Sequence, residues 1–173
     1  MERTAGYSRT NYQLEIDTRI EVAKSGDMAY SSDHHVTPDE LIAFAHRYAE
    51  AWCSKNPDEV AKLFAENGSL SVNQGARAVG RMAIADVARG FMRDLPDMIV
   101  TCDKLEQSSN ACAASGCDAV FHWTLTGTNT GPGGSGKPIR VSGYEMWKFD
   151  PDGFIAESTG HFDAGEYERQ ITG

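Results

Sequence analysis

The 173-residue chain has no apolar run approaching the about twenty residues that a membrane-spanning helix needs. Its first residues, MERTAGYSRTNYQ, lack the apolar core of a secretory signal. Four cysteines (Cys53, Cys102, Cys112, Cys117) show neither a CxxC pair nor a matching histidine spacing, so they carry no zinc-ligand pattern. They are expected to be free thiols in a reducing cytoplasm. Basic charge is also scarce: 16 Lys and Arg stand against 25 Asp and Glu, for a net charge of -9, and the basic residues do not cluster. A nucleic-acid partner needs a basic surface, and an anionic membrane attracts one, so both are disfavoured. The chain is therefore expected to be cytoplasmic, with no metal, no cofactor and neither nucleic acid nor membrane as partner.

What is present suits one domain with a short extension. Hydrophobic residues make up 40% of the chain, enough for a core. Residues 1–35 read as an extension, a β-hairpin around Ser25-Gly26-Asp27 or a mobile segment. From residue 36 the pattern sharpens. In VTPDEL, Thr37 is an N-cap, Pro38 takes the first helical position and Glu40 can close a capping box, with Val36 and Leu41 as a staple. Leu41, Ala45, Tyr48 and Trp52 then form one apolar stripe. NPDEVAKLFAENG repeats the grammar, with Asn56 capping a second helix that Gly68 ends, before a short strand SLSV. A third helix is expected over 81–94, with Ile84, Val87, Ala88 and Phe91 inward. The rest reads as strands, with a tight turn at Asp150-Pro151-Asp152-Gly153 and a last short helix in AGEYERQITG. Helices followed by a strand meander give an α+β class.

Within TGTNTGPGGSGKP, residues 131–137 read G-x-x-x-x-G-K, most of a phosphate-binding loop. Such a loop needs a helix opening directly behind it and a hydroxyl after the lysine. Here Pro138 follows Lys137, and Ile139-Arg140-Val141-Ser142 alternates as a strand. The stretch is expected to be a loop between two antiparallel strands.

The stretches AFAHRYAEAWCSKNPDEVAKLFAENGSL, FMRDLPDMIVT, FHWTLTGTNTGPGGSGKPIRVSGYEMWKF and DGFIAESTGHFDAGEYERQ span about residues 37–170. In their order of elements they resemble the SnoaL-like (polyketide cyclase-like) group of the nuclear transport factor 2-like superfamily. That resemblance implies a cone-shaped α+β barrel, three N-terminal helices packed in a strongly curved antiparallel sheet, with a pocket between the first helix and the concave face. Separately, IEVAKSGDMAYSS resembles the middle strands of another member of the same broad fold, so residues 1–35 are either a remnant of a truncated or fused copy or a plain sheet-extending hairpin.

A proton-transfer pocket needs a few polar groups in an apolar wall and a carboxylate or histidine shifted by burial or a partner. Tyr48 resembles in position the tyrosine with which ketosteroid isomerases donate to an enolate; the plain alternative is a core tyrosine. Trp52, one turn on, is a candidate ligand contact. The isomerase base has no counterpart, because Val72 and Asn73 stand where it would fall; Asn73 could orient a ligand or serve a turn. On the last strand, alternation groups Glu157, Thr159, His161 and Asp163 against Phe154, Ala156, Ser158 and Phe162. The resemblance to SnoaL-like cyclases and limonene-type epoxide hydrolases makes Asp163, in G-H-F-D, the candidate acid or base, with His161 beside it. Both could instead face outward, with Asp163 capping the final helix. His122 faces away from Phe121 and Trp123, so it lines the pocket only if those two do not. Glu145 shares a face with Val141 and Trp147 and is a raised-pKa candidate. Arg140 matches no epoxide-hydrolase arginine.

Two function classes remain. The chain could be an enzyme performing cofactor-free cyclisation, isomerisation or hydration on a small carbonyl-bearing or apolar molecule, with Asp163, His161 and Tyr48 catalytic and Trp52, Asn73, His122 and Glu145 binding. Or it could be a non-catalytic ligand-binding or dimeric interaction module. Either way a homodimer through the open sheet face is expected, since that face must be covered or polar.

Overall fold

A computed structural model describes residues 36–107 and 116–172. The chain divides into two units, Met1–His34 and His35–Gly173, and the described residues belong to the second. The hairpin expected in residues 1–35 lies outside them.

The first helix, α1 (Pro38–Cys53), starts as its sequence dictates. Thr37 and Glu40 close a reciprocal capping box, and Pro38 leads the helix. Its buried stripe is Leu41, Phe44, Ala45, Tyr48, Ala49, Ala51 and Trp52, and Val36 packs against the same core. In α2 (Pro57–Ala61) the Asn56 side chain accepts from the Asp58 amide. This helix is one turn long, which corrects the longer one expected. Phe64 begins strand β1 (Phe64–Val72) instead, because its backbone pairs in parallel with the last strand while its ring is fully buried. Gly68 is accordingly no helix stop. It lies in an irregularity of β1, where a Cβ would come 2.7 Å from the Ile155 carbonyl oxygen.

After a two-residue strand β2 (Ala78–Val79), α3 (Arg81–Asp94) matches its expected span. Ile84 and Ala88 are buried, and Val87 and Phe91 pack half-buried beside them. Four strands follow: β3 (Ile99–Gln107), β4 (Ala119–Thr128), β5 (Pro138–Phe149) and β6 (Ile155–Phe162), then α4 (Ala164–Thr172). The strand order in the sheet is β2-β1-β6-β5-β4-β3. The β1–β6 pairing is parallel and the others are antiparallel, so the sheet is mixed rather than wholly antiparallel. With its helices it forms the open α+β cone of the nuclear transport factor 2-like fold.

The glycine-rich stretch joins β4 to β5, with Thr128 opposite Pro138, and no helix opens behind it. Its ends are tied down: the Gly131 amide donates to the Asp94 carbonyl and Lys137 Nζ to the Thr172 carbonyl at 3.0 Å. A Cβ on Gly131 would come 2.2 Å from the Arg93 carbonyl oxygen, so this glycine serves close packing on α3 rather than phosphate. In the Asp150–Gly153 turn, Asp150 Oδ1 accepts from the amides of Asp152 and Phe154, and Gly153 has φ 83°. One cysteine expectation is corrected: Cys117 is disulfide-bonded, whereas Cys53 and Cys102 are free.

Candidate active site

Inward positions of the sheet, α1, α3 and α4 line a half-open cavity of about 50 Å³. Its wall is aromatic and aliphatic: Trp52 from α1, Phe91 from α3, Phe121, Trp123 and Leu125 from β4, Val141 from β5, Phe162 from β6 and Tyr167 from α4. Gly143 is required here. A Cβ on it would come 2.5 Å from the Trp123 ring, so its bare backbone seats that indole.

Into this wall projects one carboxyl group, that of Glu145. Three donors converge on its Oε2: the Tyr48 hydroxyl at 2.8 Å, the Ser158 hydroxyl at 2.7 Å and the Trp147 indole N–H at 3.1 Å. No hydrogen bond reaches Oε1 among the described residues, so Oε1 is the atom left to meet an occupant of the cavity. Burial pushes the Glu145 pKa up, because the charged form loses its water, while the bonds from Ser158, Trp147 and Tyr48 pull it partly back. Tyr48 is fully buried, and its pKa is pushed well up by burial and then by the neighbouring Glu145 charge. Its phenol stays neutral and donates.

This geometry changes the part given to Tyr48. Its hydroxyl is occupied by Glu145, and the residue stands behind the cavity wall rather than in it. It positions the carboxyl instead of offering a donor to an enolate. Its ring packs edge-on against Trp52, Phe121 and Trp147, with centroids 4.9 to 6.3 Å away.

Trp52 does line the cavity. Its indole N–H and that of Trp123 are the buried side-chain polar atoms without a hydrogen-bond partner among the described residues. Trp52 packs edge-on against the Tyr48 ring without hydrogen-bonding its hydroxyl.

The other expected site residues lie elsewhere. Asp163 is exposed, and its Oδ1 accepts from the Glu166 amide at 2.9 Å, so it caps α4 and is not a pocket acid. His161 faces outward and stacks on Tyr144 with ring centroids 4.9 Å apart. His122 is on that same outer face, 2.8 Å from Glu106 Oε2, because Phe121 and Trp123 take the inward positions. Lys104 and then His122 hold the Glu106 pKa below its ordinary value. Asn73, at φ 50°, continues the β1–β6 pairing: its amide donates to the Gly160 carbonyl and its Oδ1 accepts from the Phe162 amide. It is a turn residue, as its plainer reading had it. Val72 lines the cavity where an isomerase base would have fallen, and Arg140 is exposed.

Two members of the Glu145 cluster went unforeseen. Trp147 was legible, since alternation puts it on the Glu145 face. Ser158 needed the cross-strand register that sets it opposite Trp147. An irregularity where β6 begins also shifts the phase: Ile155 is fully buried, after which Ser158, Gly160 and Phe162 face inward.

No group of three or more metal-ligating side chains occurs among the described residues, and no helix among them is long and apolar enough to cross a membrane.

A search of curated proteins finds no match. Among solved structures, a hypothetical protein with a ketosteroid isomerase-like fold from Catenulispora acidiphila, in complex with trimethylamine, superposes with a TM-score of 0.63 at 19% identity, over 79% of this chain and 94% of that one. A SnoaL-like polyketide cyclase homologue from Jannaschia gives 0.63 at 13% identity, over 85% and 98%. SalBIII, an epoxide hydrolase/cyclase-like enzyme of pyran ring formation in salinomycin, gives 0.61 at 12%, over 79% and 97%. At these identities the superpositions show the shared fold. The SnoaL-like domain model matches residues 45–158, more than half of the sequence, and the chain belongs to that family.

Proposed function

We propose that this protein binds a small, largely apolar molecule in its cone and exchanges a proton with it through Glu145, without a cofactor. The observation that carries the reading is a buried carboxyl with all its donors on one oxygen and an apolar cavity on the side of the other. Burial raises its pKa, so it holds a proton to higher pH than an exposed carboxyl does. Tyr48, Trp147 and Ser158 steady whichever charge develops on Oε2 and fix the rotamer. Cyclisation, isomerisation and hydration of a carbonyl-bearing molecule all fit a single proton-exchanging group in an apolar pocket. The cyclase and epoxide hydrolase/cyclase-like neighbours support that range of chemistry without selecting within it.

The test is a panel of small ketones, enones and epoxides incubated in D2O and followed by NMR for deuterium uptake or hydration. Turnover should fall at least about a hundredfold in Glu145→Gln, the usual size of a general acid–base contribution. Turnover that survives the substitution rules out Glu145 as the proton-exchanging group.

The same reading takes the protein to be a homodimer joined through the outer sheet face. That face carries Tyr144, 38% exposed, with His122 and His161 beside it. Such rings are the kind of residue a protein interface buries.

A further inference from the structure

The cavity wall has a composition that proton exchange alone does not call for. Six aromatic side chains, Trp52, Phe91, Phe121, Trp123, Phe162 and Tyr167, line it beside Glu145, and no Lys or Arg does. Glu145 therefore has three hydrogen-bond donors but no counter-ion in the cavity. The indole N–H groups of Trp52 and Trp123 are shut off from any water-sized contact. An occupant meets ring carbons and the free carboxyl oxygen, not those donors. A neutral oxygen-bearing molecule finds one hydrogen-bonding partner in such a wall, Glu145. A cation gains from the carboxylate and from each ring face it reaches, and both attractions strengthen where water is excluded.

We infer that the pocket takes a small, compact alkylamine and holds it as an ammonium ion between the aromatic wall and Glu145. The inference rests on the reading that Glu145 exchanges a proton with the occupant. A neutral amine passing the apolar wall meets the protonated carboxyl. Its nitrogen lone pair takes the proton, the O–H bond breaks, and the electron pair stays on the carboxylate. The three donors at Oε2 then hold the anion while the rings hold the cation, and nothing is oxidised or reduced. The cavity of about 50 Å³ corresponds to roughly four water-sized positions, room for a nitrogen with a few methyl groups. Two titratable groups share the site with Glu145: Tyr48 from α1, which donates to it, and Tyr167 from α4, which lines the same cavity. Burial pushes both phenols up, so they stay neutral while Glu145 titrates.

Calorimetric titration of the full chain with trimethylammonium chloride, tetramethylammonium chloride and tert-butanol tests this. Both ammonium ions should saturate one site and bind at least about tenfold more tightly than tert-butanol, which matches their shape without the charge. Their affinity should rise with pH until Glu145 is ionised and then level off. Glu145→Gln should remove both the preference and the pH dependence. Phe91→Leu, which leaves the carboxyl and its donors in place, should weaken the ammonium ions more than tert-butanol. Equal or tighter binding of tert-butanol overturns the inference, as does a failure of the ammonium ions to saturate, or an ammonium preference that survives in Glu145→Gln. The outcome separates from that of the acid–base reading. Glu145-dependent turnover of a carbonyl compound without ammonium binding removes the amine and keeps the chemistry. Ammonium binding without turnover of any carbonyl compound keeps the amine and removes the catalysis.

Discussion

Replacing Tyr48 by Phe deletes one hydroxyl, keeps the ring and leaves Glu145 with two donors instead of three. The lost bond, 2.8 Å long and fully buried, runs to a group that becomes charged. Hydrogen bonds of that kind contribute about 1.5–3 kcal/mol, and one pKa unit corresponds to about 1.4 kcal/mol. The folded-state pKa of Glu145, already raised, should rise further. The sign of the stability change follows. A carboxyl whose folded pKa exceeds its unfolded value contributes stability that is fully present below the unfolded pKa and is lost as pH rises through the folded one. Raising the folded value further enlarges that loss. The stability gap between wild type and Tyr48→Phe should therefore be small in acid and widen by about 1.5–3 kcal/mol at pH values above both folded pKa values. Urea unfolding across a pH series measures it. A gap that stays constant with pH, or narrows as pH rises, would refute the claim that Tyr48 supports the Glu145 charge.

Four further outcomes follow from named contacts. Asp163→Ala should cost about 1 kcal/mol through the lost cap of α4 and leave ligand affinity unchanged, checked by thermal unfolding beside a binding titration. Gly143→Ala should destabilise by about 1–3 kcal/mol, because the new methyl enters the space of the Trp123 ring; urea unfolding measures it. Gln170→Ala should speed hydrogen exchange near Arg140, whose backbone N–H and C=O both bond the Gln170 side chain. A charge placed at Tyr144 on the outer face should shift a dimer toward monomer in sedimentation, and an unchanged sedimentation coefficient would remove that face as the interface.

The sequence carried the helices through local chemistry that tertiary structure had no reason to override. Thr37, Pro38 and Glu40 start α1 in any context, and the Asp150–Gly153 turn is equally self-contained. The second helix failed as an expectation because Leu63 and Phe64 fit a helical stripe and a buried strand alike. Parallel pairing to β6, nearly a hundred residues away, decides between them. The site divides along the same line. Glu145 was legible from its own strand, where a carboxylate alternates with Val141 and Trp147. Asp163 drew attention through its resemblance to a family acid, yet β6 ends at Phe162 and the next residue is free to cap a helix. For His122 and His161 the pattern gave the alternation but not which face looked inward. That is a property of how the sheet curves around α1, and no single strand encodes it.

The account turns on Glu145 as the proton-exchanging group of an apolar cone. Carbon-13 NMR titration of its side-chain carboxyl, assigned by loss of the resonance in Glu145→Gln, tests this most directly. The predicted result is a midpoint above the ordinary glutamate range that falls when trimethylammonium chloride is added. A midpoint at or below that range would contradict the central claim.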